Sequence, residues 1–219
     1  MTTKRNATFS LFNLALLAVP TALIAFAVVV SSVRGIPVRN FFSDTNAIGD
    51  LPFYTGIVSN MGIILWFSSA VMAWFSARLA SNAVHRSQYH YLNYFGLLSM
   101  ILFLDDMLMI HEQVPGILPF VSEKKIYAAY LALALYGMYR YRAVILKTPY
   151  SIAMMSLLFL LFSMVVDIFQ ERLEDEIGRY RIVLEDGFKF LGIVHWFGYC
   201  LASCHRMLSE KLTNGQQAN

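Results

Sequence analysis

Apolar residues run along this chain in long blocks separated by short polar breaks, and the blocks share one length. Roughly, residues 10–33, 53–80, 89–112, 125–146, 150–171 and 183–207 are each long and apolar enough for a helix crossing about 30 Å of hydrocarbon, which takes about 20 residues. The pattern predicts six transmembrane helices. Segments of about ten residues with alternating polarity, the mark of a membrane barrel, are not visible in it. The expected fold is all-α: a polytopic six-transmembrane-helix bundle forming a single domain over residues 1–212, followed by a disordered C-terminal tail over 213–219, Thr-Asn-Gly-Gln-Gln-Ala-Asn.

Composition strengthens the membrane reading. Hydrophobic residues make up 58% of the chain and charged residues 14%, with a mean hydropathy of +0.55. A soluble domain has about 45–50% apolar and 25% charged residues. Lys4 and Arg5 ahead of an apolar run, with Ala25 and Ala27 spaced like a cleavage site, resemble a signal peptide. The run is too long for one, and it reads as an uncleaved helix kinked at Pro20.

The polar breaks supply topology. Residues 34–52 are rich in turn formers and predict an outside loop; Pro115, Gly116 and Pro119 mark a second, and the charged stretch from Glu171 to Arg181 predicts helical extensions beyond the membrane. Threaded this way, nine Lys and Arg lie on the side of the N-terminus and eight on the other, while thirteen of fourteen carboxylates lie opposite the N-terminus and only Glu210 beside it. The positive-inside rule then puts the N and C termini in the cytoplasm of a multi-pass protein of the inner (plasma) membrane. The partner this implies is the lipid bilayer, with no nucleic acid. Cys200 and Cys204, one turn apart on one helix, exclude a disulfide framework and read as small apolar residues.

The carboxylates also carry the candidate chemistry. Asp105 and Glu112, seven residues apart near the end of the third span, fall nearly on one face about 10 Å apart in rise, while Asp106 points about 100° away. Asp167 and Glu171 share a face at the end of the fifth span, and Glu185 and Asp186 open the sixth, where Lys189 is in reach of either. A carboxylate inside a span costs kilocalories unless it is protonated, paired, cation-bound or wetted. His111 and His195 lie nearby, and Ser59 with Asn60 supplies polar groups at the same level to line a cavity. Gly187 and Gly192 predict close approach of a helix or ligand.

Oxygen ligands of this kind suit Ca²⁺, Mg²⁺ or Mn²⁺, and a histidine shifts the preference toward Mn or Zn. The leading expectation is thus a metal-dependent hydrolase of a lipid or amphiphile, its divalent metal ion held by Asp105, Asp106, Glu112, Asp167, Glu171, Glu185 and Asp186. His111, His195 and Lys189 would act as ligands or proton carriers. A second class, an oligomeric cation channel or ion-coupled carrier, uses the same acids around a symmetry axis of a homo-oligomer with His195 as gate or relay. A third, a structural or sensor subunit, leaves the acids in ion pairs. A site enclosed within one protomer favours chemistry over conduction.

Overall fold

The computed structural model describes residue 18 and residues 20–43, 45–80, 86–118, 120–178 and 180–217, with side chains to residue 209 apart from Ala80. Lys4, Arg5, Asp44, Pro119, Arg179 and the last two residues of the expected tail lie outside the described residues. Every regular element among the described residues is helical.

Two compact units divide at Thr55. The first holds α1 (Pro20–Arg34), an apolar helix, followed by two short helices, α2 (Arg39–Phe42) and α3 (Thr45–Gly49). The turn formers of residues 34–52 are therefore partly helical. Gly35 closes α1 at φ 65°, a conformation available to glycine without a Cβ penalty. Side chains tie the segment together: Ser31 Oγ donates to the Ile36 carbonyl at 2.7 Å, Arg39 to the Ala47 carbonyl, and Asn46 to the Thr55 carbonyl.

The second unit is a bundle of α4 (Ile57–Ala80), α5 (Arg86–Leu108), α6 (Ile110–Ile117), α7 (Glu123–Arg140), α8 (Arg142–Ile145), α9 (Tyr150–Ile168), α10 (Gln170–Ile177) and α11 (Tyr180–Gln217). Three helices are long and apolar enough to cross a membrane: Ile57–Leu79, Arg86–Leu108 and Tyr150–Ile168. α7, with 18 residues, is nearly as long and α11, with 38, is longer, but both are more polar, with Tyr127, Tyr130, Tyr136 and Tyr139 on α7 and Glu185, Asp186, Lys189 and His195 on α11. The helix α11 runs on to Gln217, into the segment whose composition reads as a tail.

Small residues bring the helices together. On α4 the buried face is Ser69, Ala73, Ser76 and Ala77, spaced by three and four residues, and α5 and α11 pack against α4. A Cβ on Gly192 would stand 2.6 Å from the Leu160 side chain and 3.1 Å from its backbone nitrogen, so only glycine lets α11 approach α9 this closely. Ser156 Oγ uses the approach, donating to the Gly192 carbonyl at 2.7 Å. Gly187 has nothing within 4 Å of where a Cβ would stand, and it takes no part in such packing. The centre is aromatic: Trp196 stacks on Phe95 at 4.6 Å and meets Trp66 edge-on at 5.5 Å. Cys200 and Cys204 are buried free thiols, Cys200 donating to the Ser69 carbonyl.

α7 packs chiefly on α5, α6 and α8, whereas α9 packs on α11. Two cavities occupy the space that these helices leave, and one of them is lined by most of the charged residues inside the bundle.

Candidate functional site

The site is built around a break in the helix that runs from Arg86. α5 stops at Leu108, Met109 takes a left-handed conformation (φ 49°, ψ 45°), and α6 restarts at Ile110. A left-handed turn at a non-glycine residue costs about 1–3 kcal/mol, and here it folds the chain back so that Asp105 faces the first turn of α6. Asp105 Oδ1 accepts the backbone N–H of His111 at 2.9 Å, and Oδ2 meets His111 Nδ1 at 2.7 Å. The carboxylate thus satisfies an orphan donor of the new helix and holds the imidazole. A third donor, the Tyr130 hydroxyl from α7, reaches Oδ1 at 2.9 Å. Both Asp105 and His111 are buried.

Asp106 points the other way. It accepts Trp66 Nε1–H from α4 at 3.0 Å and pairs with Lys189 Nζ from α11 at 2.7 Å. Lys189 therefore bridges to α5 rather than to Glu185 or Asp186 on its own helix. Glu185 pairs instead with Arg181, one turn before it. Glu112 Oε1 lies 3.7 Å from His111 Nε2, the nitrogen that Asp105 does not hold.

These groups line one cavity of about 280 Å³, close to the lower end of the about 300–1,000 Å³ of small-molecule sites. Asp105, Asp106, Glu112, Asp167, Glu185 and Asp186 all contribute to its wall, as do His111, Lys189 and Ser59. The structure thus brings together nine of the twelve residues singled out from sequence. Asp167 and Asp186 make no ion pair among the described residues. The wall carries more negative than positive side chains, which favours a cationic guest.

Three expected residues lie elsewhere. His195 bonds through Nδ1 to the Leu191 carbonyl at 2.7 Å and stands against Phe159. Glu171 follows the break at Phe169 and is exposed on a neighbouring surface cavity whose wall also holds Asp167, Glu123, Lys124 and Arg172. Asn60 is exposed. No three His, Cys, Asp or Glu side chains among the described residues stand close enough together to ligate one ion. Sequence reasoning missed Trp66, Tyr130, Tyr127 and Trp196. Tyr127 and Tyr130 are spaced by three residues at the start of an apolar helix, a polar aromatic pair on one face that signals a shared polar neighbour.

A second cavity of about 350 Å³ adjoins the first. Leu98, Ala134, Leu157 and Trp196 line both. Beyond them the wall is apolar and aromatic, from Phe95 and Met138 to Met154, with Arg142 as the charged residue on it.

Residues 14–203 match a family described as a domain of unknown function (DUF8692). The chain belongs to that family. Neither the curated proteins nor the solved structures contain a match to it. Since the match runs through residue 203, both cavities fall within the family domain.

Proposed function

We propose that this protein is a six-span enzyme of the inner membrane, with cytoplasmic termini, that hydrolyses an amphiphile carrying a positive charge and uses His111 as proton carrier. The observation that carries this reading is the Asp105–His111 pair on the wall of the cavity. With Nδ1–H donated to Asp105, the imidazole keeps Nε2 as its basic nitrogen, and Glu112 at 3.7 Å favours the imidazolium once a proton arrives. Nε2 takes a proton from water as its oxygen bonds to the substrate's carbonyl carbon. The bond from that carbon to the leaving oxygen or nitrogen then breaks, and the proton passes to the leaving group, giving an acid and an alcohol or amine.

Asp167 and Asp186, which make no ion pair among the described residues, provide the counter-charge for a cationic group. The convergence of acids from α5, α9 and α11 on one cavity wall favours this reading over a ring of acids in a channel. For the membrane, the support is the three apolar helices and the large side chains they turn outward, such as Ile64 at 63% and Phe75 at 62% exposure.

The test is release of palmitate from palmitoylcholine by the purified protein in nanodiscs. His111→Gln and Asp105→Asn are expected to slow release by about 10²–10⁴-fold, the usual worth of a general base, with unchanged helical circular dichroism. Equal rates in the wild type and the His111→Gln variant sink the proposal. Chelation with EDTA separates it from the divalent-ion mechanism: release persists if His111 activates the water and stops if an ion at Asp167 and Asp186 does.

A further inference from the structure

We infer that the substrate is a long-chain amphiphile whose polar end lies in the acid-lined cavity and whose hydrocarbon chain threads the neck between Ala134 and Trp196 into the apolar chamber. The inference rests on the ligand-binding reading of the acid-lined cavity. Its observation is that the two cavities adjoin, with Leu98, Ala134, Leu157 and Trp196 forming the wall common to both. One side of the neck is rigid: Trp196 Nε1–H is bonded to Ser99 Oγ at 2.9 Å, and its ring is fixed between Phe95 and Trp66. On the opposite side, on α7, stands the single methyl of Ala134, the smallest side chain in the shared wall and so the point where a hydrocarbon chain passes with least displacement.

The length fits one lipid chain. From Asp105 in the polar cavity back to Tyr91 in the chamber is fourteen residues of α5, or about 21 Å of helical rise. A single leaflet's share of a hydrocarbon core about 30 Å thick is shorter than that. A chamber of about 350 Å³ with a wall of Phe95, Met138 and Met154 gives the chain an apolar surface to bury. At its far end the Tyr91 and Tyr199 hydroxyls are bonded to each other at 2.7 Å, and Tyr199 also to Thr148, so those polar groups are already paired and do not call for a polar ligand. The apolar cavity therefore takes the chain, and the acid-lined cavity reads the head.

The experiment uses hexadecylamine carrying a diazirine at the chain terminus, which cannot be hydrolysed and so reports binding alone. Photolysis of the full chain in zwitterionic nanodiscs, followed by peptide mass spectrometry, is expected to place adducts on chamber residues such as Phe95 and Met138. Unlabelled hexadecylamine should suppress this labelling. A butylamine diazirine should label near Asp167 and Asp186 instead. Ala134→Trp should cut chamber labelling at least tenfold while leaving the butylamine adducts in place. Leu157→Trp closes the same neck from α9 and serves if the first variant does not fold. Labelling confined to outward-facing residues such as Phe75, or chamber labelling that neither substitution reduces, overturns the inference. Chamber labelling in a protein that releases no palmitate removes the hydrolase reading and leaves the threaded chain standing.

Discussion

Asp106 and Lys189 show how much of the site depends on single side chains. The carboxylate is nearly buried, and among the described residues it has two donors, Trp66 and Lys189, drawn from two different helices. Removing the ammonium leaves the charge on Asp106 with an indole N–H alone, and a hydrogen bond to a charged group is worth about 1.5–3 kcal/mol. Lys189→Met is therefore expected to lower the thermal stability of the detergent-solubilised protein by an amount in that range, and the double variant Asp106→Asn with Lys189→Met should recover most of it. A double variant no more stable than Lys189→Met alone argues against the pair. The carboxylates are legible in the sequence because a charge inside an apolar run has to be compensated. Their partners are not. Spacing offers Lys189 the neighbours Glu185 and Asp186 on its own helix, and nothing local in the chain announces that α5 and α11 come together to give it Asp106 instead. His195 has the same lesson in reverse: its depth in an apolar helix marks it as a candidate, yet the carbonyl one turn back satisfies it.

At the scale of elements, the decisive feature is the interruption at Met109. Residues 89–112 read as one continuous span because no Gly or Pro falls between Gly96 and Pro115, and Pro115 lies inside α6. The break instead comes from competition between the helix ladder and Asp105, whose carboxylate accepts the N–H of His111 and so rewards a restart. Met109 is largely exposed, so its conformation and not its packing is at stake. Met109→Gly is expected to fold with unchanged or slightly raised stability, because glycine adopts φ 49° freely. A β-branched residue resists that conformation, and Met109→Ile should lose about 1–2 kcal/mol in denaturant unfolding while the His111-dependent rate falls with it. Equal stability of the two variants would mean that the left-handed turn is not what positions His111. Gly192 is the opposite case, readable from sequence as a small residue beside polar groups, while Gly187 five residues earlier has the same look and no neighbour to accommodate.

For the whole molecule, the two ends of the bundle differ in charge. α9 rises about 28 Å from Tyr150 to Ile168, close to the thickness of a hydrocarbon core. At one end of it Arg140, Arg142 and Lys147 gather around α8, and at the other Glu171, Glu174, Asp175 and Glu176 gather on α10 with the single base Arg172. On the proposed six-span topology the α8 end faces the cytoplasm, and the acid-lined cavity opens outward. That orientation matters for chemistry, because it decides from which side a cationic head and its water enter, and it puts the neck and chamber below them toward the cytoplasmic leaflet. Alkaline phosphatase, active only after export, should be active when fused after Ile177 and inactive when fused after Lys147, and green fluorescent protein should fluoresce when fused after Ser209. Activity at Lys147 with none at Ile177 would invert the molecule and turn the cavity to the cytoplasm, leaving the Asp105–His111 pair intact but supplying it from the opposite side.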